Sequence, residues 1–481
     1  MKSNQKQPSI LGLDQGTHAT KGILYDLNGN IITTKSVNIS LNRISNESIE
    51  QNPEEILDSV NTVLETILNE ISESHTITAA ALATQRSSVV ALSRESGRAL
   101  SPVISWQDTR TKKNLEQIAD HESHIKNITG LPLSAHYGAS KIEWLLNNNQ
   151  NTITEEKKGT LLYGPLVSYL LYNILTEKKY LIDHTNATRT LLFNIKTLSW
   201  DSTLLKLFHI RRKQLPSPQP VIYNYGKLSK GYIPLQVVSG DQNAALFFNG
   251  ELPENKIVVN IGSGAFILKT SGRKIISNPY LLKSIARSEE NDVLYTLEGT
   301  INGAGNAISW LAEKYNTVIN EELIQKASLV ESPPIFKNFI GGLGSPFWRS
   351  GDQPEWIYDH TKPSIINDLS GIIESIAFLI SINIELLKKS DNISYKSISI
   401  TGGLSNVNAL CQKLADLNQI KVERYQDKEA TIRGSAWMAA QKPENWSRSP
   451  ETTFNPCINT PLRKRFTIFS QVLDAVKYMQ N

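Results

Sequence analysis

Two carboxylates and three runs of small residues are the parts of this sequence whose types and spacing could do chemistry. Asp14 follows an apolar run, Ile10 to Leu13, and precedes Gln15-Gly16-Thr17. The run reads as a buried strand. The turn after it reads as an anion-binding nest, because successive backbone N–H groups converge there and Thr17 adds a hydroxyl donor. An acid at the mouth of such a turn suits a hard cation such as Mg2+, held directly or through water. The second carboxylate is Asp241, in Gly240-Asp241-Gln242-Asn243-Ala244-Ala245, where a strand at 236–239 passes into a helix. An acid on that junction can accept the proton of a hydroxyl that attacks a γ-phosphate. The same residue also fits as a plain helix N-cap, worth about 1 kcal/mol.

The other two runs extend the pattern. Lys256 to Leu268 repeats the first arrangement, with Gly262-Ser263-Gly264 as its turn and a third strand predicted at 274–276. Gly402-Gly403, between a strand at 397–401 and a helix from 406, would let a flat ligand lie against bare backbone. Arg86 and Trp106 each end a predicted strand and could line a polyol pocket. Arginine donates paired hydrogen bonds to hydroxyls, and an indole face packs on C–H surfaces. Each of these also fits an ordinary structural role. His136, Tyr137 and His184 lack metal-ligand spacing.

These residues need elements to hold them. The first turn leads to a strand at 22–25, an Asn28-Gly29 hairpin and a strand at 31–37. Residues 53–71 carry apolar side chains at helical spacing, with Asn52 as N-cap and Pro53 at the first helical position. A strand at 77–83, a strand at 89–93 and helices at 141–146 and 164–175 follow, and the Pro-rich span 215–220 reads as a connector. In the second half, a Gly-rich helix start at Gly303 and Gly305, a long helix at 370–388, a strand at 421–424 and a small-residue helix at 430–440 are predicted. Two similar strand-turn-strand motifs half a chain apart imply two halves of one topology, cut at 1–238 and 239–481.

At 481 residues the chain exceeds what one core usually holds. Its net charge of +4 comes from interspersed basic and acidic residues, and there is no basic run with interleaved aromatics, so nucleic acid is not an expected partner. Two cysteines, Cys411 and Cys457, are too few for a disulfide framework or a zinc site. Met1 to Pro8 lacks the apolar core of a signal peptide. The apolar stretch 369–387 contains Glu374 and Glu385 and reads as a buried helix, not a membrane span. A cytoplasmic protein with no membrane partner is expected.

The ordered set of motifs resembles the FGGY carbohydrate kinases, in particular their glycerol kinase-like branch. The matching segments are Gly12-Leu13-Asp14-Gln15-Gly16-Thr17, Gln85-Arg86, Trp106 to Thr111, Asp183 to Asn194, Gly240 to Phe247, Leu297-Glu298-Gly299, Gly342 to Trp348, Gly402-Gly403 and Phe454-Asn455-Pro456. The resemblance implies an α/β fold of two ribonuclease-H-like domains, of the actin/hexokinase ATPase type, flanking a hinged cleft. It implies ATP and Mg2+, a small polyol or sugar substrate, and a second copy of the chain as a candidate partner. Asp241 would be the general base, and Asp14 and Asp241 would hold the metal. Gly16, Thr17, Ser263 and Gly264 would cradle phosphates, and Gly305, Gly402, Gly403 and Asn408 would lie beside the nucleotide. Arg86, Ser87, Trp106, His136, Tyr137, Asp241, Gln242 and Phe266 would meet the polyol. The chain departs from that branch at Ser87, where a glutamate is usual, at His18, where a threonine is usual, and across Arg349-Ser350-Gly351-Asp352 to Pro363. These departures point away from glycerol, and they keep open a second reading in which the fold serves as a ligand-binding or regulatory module.

Overall fold

The computed structural model describes residues 6–71, 73–349, 351–359, 361–391, 393–426 and 429–480. Residues 1–5 and Ser350, which enter the expectations above, lie outside them. The chain forms two compact units. The first takes residues 1–251, 284–295 and 429–447, and the second takes 252–283, 296–428 and 448–481.

The first unit is built on a six-stranded sheet. Its order is Ile222–Lys227, Pro234–Gly240, His75–Thr84, Gln7–Gln15, Ala19–Tyr25, Ile31–Asn38. The central strands are parallel: Gln7–Gln15 pairs with His75–Thr84, which pairs with Pro234–Gly240. A strand buried on both faces reads as a continuous apolar run, and Ile10, Leu11, Leu13 and the alanines from Ala79 to Ala83 are buried accordingly. The amphipathic helix Pro53–Ile71 covers one face with Ile56, Val60, Val63, Leu64 and Ile67. The helix Ala430–Ala439 also packs on this sheet, and it does so closely. A Cβ on Gly12 would stand 2.5 Å from Ile432 Cγ2, and one on Gly434 would stand 2.0 Å from the Ala244 carbonyl oxygen. Only hydrogen at both positions allows that approach.

The expected cut between 238 and 239 differs from this division. The strand Pro234–Gly240 hydrogen-bonds into the first sheet and carries Asp241 with it. Residues 429–447 return to the first unit through Arg433, which is buried and donates to the carbonyls of Gly29 at 2.8 Å and Trp446 at 2.5 Å. A sequence cut assumes contiguous domains, and these are not contiguous. Two other expectations in this half are corrected. The span 215–220 is not a free connector, because Ser217–Gln219 pairs in parallel with Leu181–Asp183. The helix expected at 164–175 forms as Leu166–Ile174, and its first two expected residues end the strand Leu161–Pro165. The stretch is mostly apolar and buried across that junction, so periodicity does not mark where strand passes into helix.

The second unit has a seven-stranded sheet whose centre repeats the first. Lys256–Ile261 pairs in parallel with Ser397–Thr401, which pairs with Lys421–Arg424, and Ala265–Thr270 runs antiparallel beside it. No strand forms at 274–276; the third strand of this hairpin system is Asp292–Ile301, paired with Ala265–Thr270. The helix Ile365–Ser390 is long and apolar enough to cross a membrane, but most of it is buried in this unit's core. Its buried Glu374 accepts from Lys413 Nζ at 2.7 Å and from Arg465 at 2.8 Å, which ties three helices together.

Arg433 gives a test of the discontinuous first unit. Arg433→Ala leaves two buried carbonyls without donors, at about 1–3 kcal/mol each. We expect a destabilisation of about 3 kcal/mol or more. It is read as a lower melting temperature, and as faster limited proteolysis within 429–447. Unchanged melting would show that this segment adds nothing to the unit.

Candidate active site

Three parallel strands of the first unit end on one row. Gln15 pairs with Thr84, and Thr84 pairs with Gly240. Asp14, the pair Gln85-Arg86 and Asp241 therefore emerge at the carboxyl ends of adjacent strands, where open α/β sheets bind ligands. Asp241 opens the short helix Asp241–Ala245 and is not its cap, since Gly240 holds that position. One carboxylate oxygen of Asp241 accepts from the Gln242 backbone N–H at 2.7 Å and lies 3.2 Å from Arg86 Nε. Arg86 Nη1 also donates to Asn243 Oδ1 at 3.0 Å. The guanidinium thus clamps the helix start and Asp241 together.

The strand end before Asp241 is held by a second chain of bonds. Asp183 caps the helix His184–Thr188 and accepts from the N–H groups of Thr185 and Asn186, from the Thr185 hydroxyl and from Asn186 Nδ2. Thr185 Oγ1 in turn accepts from the Gly240 N–H at 2.7 Å. The polar stretch from Asp183 to Arg189 is thus a buried support for the junction.

Asp14 lies opposite Lys21 in the lead hairpin. Lys21 Nζ donates to Glu429 at 2.6 Å. Burial, then the nearby Asp241 and Glu429 charges, push the Asp14 pKa up to about 8, and Lys21 opposes the shift. Asp14 Oδ1 is buried and has no hydrogen-bond partner among the described residues. A buried oxygen without a donor, beside two further carboxylates, fits a hard divalent cation. No group of three or more His, Cys, Asp or Glu among the described residues could hold a metal unaided. Sequence reasoning missed Lys21 and Glu429. The hairpin register could have found Lys21, whereas Glu429 comes from far along the chain.

The lead turn is fixed by amides. Gln15 Nε2 donates to the Gly16 carbonyl at 2.7 Å, and Gln85 Nε2 lies 3.0 Å from Gln51 Oε1. The Gly16 N–H donates back to the Ala19 carbonyl, and Thr17 Oγ1 accepts from Trp106 Nε1 at 3.0 Å. Gly16 and Thr17 are half-buried and His18 is exposed. Trp106 stands edge-on to His136 at 5.5 Å between centroids, and His136 edge-on to Tyr137 at 5.1 Å. Tyr137 is buried, so His136 is the more open of the two. Burial, then the Lys141, Arg189 and Arg86 charges, hold His136 neutral. Ser87 has a left-handed backbone (φ +66°), and its buried hydroxyl has no partner among the described residues.

The remaining predicted residues, Gln242 apart, belong to the second unit. The N–H groups of Gly305 and Asn306 donate to the carbonyls of Gly262 and Ser263 at 3.0 and 2.9 Å. The second turn is thereby locked to the start of the helix Gly305–Lys314. A Cβ on Gly305 would stand 2.7 Å from the Gly262 carbonyl oxygen. Gly402 has φ +88°, and a Cβ there would stand 2.5 Å from the Ile261 carbonyl oxygen. The strand ends at Ile261 and Thr401 are thus joined to Gly305 by glycine contacts. Ser263 and Gly403 are exposed and Gly264 is half-buried. Asn408 Oδ1 accepts from Arg424 Nη1 at 2.6 Å, which orients its amide. Phe266 is half-buried, opposite Asn260 and Thr300 in the sheet. Gln242 is half-buried beside Asp241 in the first unit.

Residues 9–247 match the FGGY family of carbohydrate kinases, N-terminal domain, and residues 257–442 match its C-terminal domain. A glycerol kinase of Natranaerobius thermophilus is 30% identical over 454 residues, covering 92% of this chain and 91% of its own. A glycerol kinase of Saccharolobus islandicus is 31% identical over 449 residues, covering 92% and 89%. Among solved structures, Plasmodium falciparum glycerol kinase with ADP aligns at a TM-score of 0.88 and 25% identity, covering 98% of each chain.

The support under Asp241 can be tested without any assay of activity. Thr185→Val keeps the side-chain shape and removes the acceptor of the Gly240 N–H. The unpaired buried donor costs about 1–3 kcal/mol. Exchange of the Gly240 amide should therefore speed up at least about tenfold, with a lower melting temperature. Unchanged protection at Gly240 would show that Thr185 does not hold the strand end.

Proposed function

Because this chain belongs to the FGGY family of carbohydrate kinases, we propose that it transfers the γ-phosphoryl group of ATP to a hydroxyl of a small polyol or sugar, with Asp241 as general base. The observation that carries the reading is the row of strand ends that sets Asp241, clamped by Arg86, beside Asp14. A base in phosphoryl transfer must be positioned more than it must be strong. Asp241 meets that demand, because Gly240, Gln242 and Arg86 each fix part of it.

In the proposed reaction the polyol lies against Trp106 and His136, with Arg86, Ser87 and Gln242 bonding its hydroxyls and Tyr137 backing His136. Asp241 accepts the proton of the hydroxyl as its oxygen bonds to phosphorus, and ADP leaves. Gly16, Thr17, Ser263 and Gly264 bond the phosphates, and Gly305, Gly402, Gly403 and Asn408 lie along the rest of the nucleotide. A magnesium ion held by Asp14 and Asp241 would neutralise charge on the β- and γ-phosphates. His136 stays neutral in the pocket and can accept or donate to a hydroxyl.

Glycerol and its larger relatives are separated at Ser87. A charge-assisted bond from a carboxylate to a substrate hydroxyl contributes about 1.5–3 kcal/mol. Serine is neutral and shorter, so this pocket favours a longer polyol than glycerol. Ser87→Glu should raise glycerol turnover relative to erythritol, ribulose and xylulose in an ADP-release assay. The idea is wrong if the wild type already prefers glycerol and the substitution lowers that activity.

Asp241→Asn tests the base. A positioned acid–base group contributes roughly 10²–10⁴-fold. Turnover of the best polyol should fall by that range while nucleotide affinity and melting temperature hold, since Asn keeps the side-chain shape. Retention of more than about a tenth of wild-type turnover would falsify the assignment. Absence of ADP release with every polyol would instead favour a ligand-binding role for the fold.

A further inference from the structure

Lys141 is wholly buried in the first unit, on the helix Gly138–Asn148. Its ammonium donates to the His136 carbonyl at 2.9 Å and to the Ser87 carbonyl at 3.4 Å. Neither partner is a carboxylate. The acid nearest in charge, Asp108, is occupied: its oxygens accept from Arg110 Nε at 3.0 and 2.9 Å and from the Ile49 N–H at 2.7 Å. A buried ammonium without an acid bonded to it is costly. A methionine or leucine would fill the same space at lower cost. The bonds that Lys141 makes therefore need a reason.

Its two acceptors are the backbone carbonyls of Ser87 and His136, two residues of the proposed polyol pocket. Ser87 follows Arg86, which clamps Asp241, and it sits in the left-handed region with φ +66°. That conformation costs a β-carbon residue about 1–3 kcal/mol unless the surroundings hold it. His136 carries the ring that faces Trp106. One ammonium thus joins the segment after the strand His75–Thr84 to the segment before the helix Gly138–Asn148. We propose that Lys141 is the positioning residue of the polyol pocket, setting Ser87 and His136 in one geometry by bonding both carbonyls. The inference rests on the kinase reading above, and it touches neither the nucleotide nor the metal.

The test separates polyol from nucleotide. In Lys141→Met, KM for the polyol of highest turnover should rise at least about tenfold, while KM for ATP stays within about twofold. A purely structural lysine would lower melting temperature and the active fraction, and so kcat, and would leave the polyol KM alone. A pH profile gives the second readout. Burial lowers the Lys141 pKa to about 7, with Asp108 opposing and Arg110 adding to the shift. Below that pH the group is an ammonium with charge-assisted bonds; above it, a neutral amine with weaker ones. Asp108 and Arg110 are the charged groups nearest Lys141, Arg86 and Arg189 stand near His136, and burial holds His136 neutral. The wild-type polyol KM should therefore rise severalfold across pH 6 to 8.5, and the Lys141→Met profile should be flat. Titration of Asp14 would appear in both proteins and cancels in the comparison. Ser87→Ala combined with Lys141→Met should be less than additive, because both act through one segment.

An unchanged polyol KM in Lys141→Met, an equal rise for ATP, or a pH-independent polyol KM in the wild type would each overturn the proposal. If Lys141→Met does not fold, the same pH comparison with Lys141→Gln, whose side chain does not titrate, decides the matter. No ADP release with any polyol removes the kinase reading and this proposal together; turnover with an unmoved polyol KM removes only the proposal.

Discussion

The register Gln15–Thr84–Gly240 across three parallel strands is the constraint on which the first unit's chemistry depends. Parallel pairing puts equivalent ends of the strands on one edge, so whatever follows each strand emerges beside its neighbours. Asp14, Arg86 and Asp241 are brought together in this way, although they are far apart in sequence. The register has no slack. Side chains alternate faces along a strand, so a slip of one residue would exchange Asp14 for a buried apolar neighbour. The glycines at 12 and 434 add a second constraint of the same kind. Gly12 lets the helix Ala430–Ala439 pack against the sheet, Gly434 lets it pack against the helix Asp241–Ala245, and Glu429 at its start joins the acidic group.

Gathering acids is unfavourable, and the unit shows how the cost is contained. Arg86 offsets Asp241, and Lys21 offsets Glu429. Asp14 is the acid left over, and its raised pKa records the remaining repulsion and burial. A cation bound there would remove the penalty and add stability by linkage. Amides from Gln15, Gln51 and Gln85 hold the lead turn, and Thr185, itself held by Asp183, holds the junction at Gly240.

The second unit solves a different problem. Its predicted ligand groups are mostly backbone, so the demand is close approach of main chain to main chain. Gly305 and Gly402 meet the strand end at 261–262 where any side chain would collide, and Gly402 does so in a conformation that favours glycine. The long helix Ile365–Ser390 backs this arrangement, and its buried acids are matched, Glu374 by Lys413 and Arg465 and Asp368 by Lys314. Here sequence and structure agree on the character of a segment that composition alone could assign to a membrane.

The sequence by itself determined the elements with strong local signals. The helix Pro53–Ile71 and the strands Val89–Ser93, Ser397–Thr401 and Lys421–Arg424 form where apolar spacing and turn residues placed them. It also determined the family, because an ordered set of short motifs survives where no single motif is specific. Tertiary structure alone decided the rest. Residues 429–447 return to the first unit, Glu429 joins Asp14, Lys21 and Asp241, and Lys141 bonds the carbonyls of Ser87 and His136. The physical reason is the same in each case. Periodicity and turn chemistry report on neighbours a few residues apart, whereas these contacts are hydrogen bonds and charge interactions between distant segments. A lysine on a helix looks like any solvated lysine until the fold buries it.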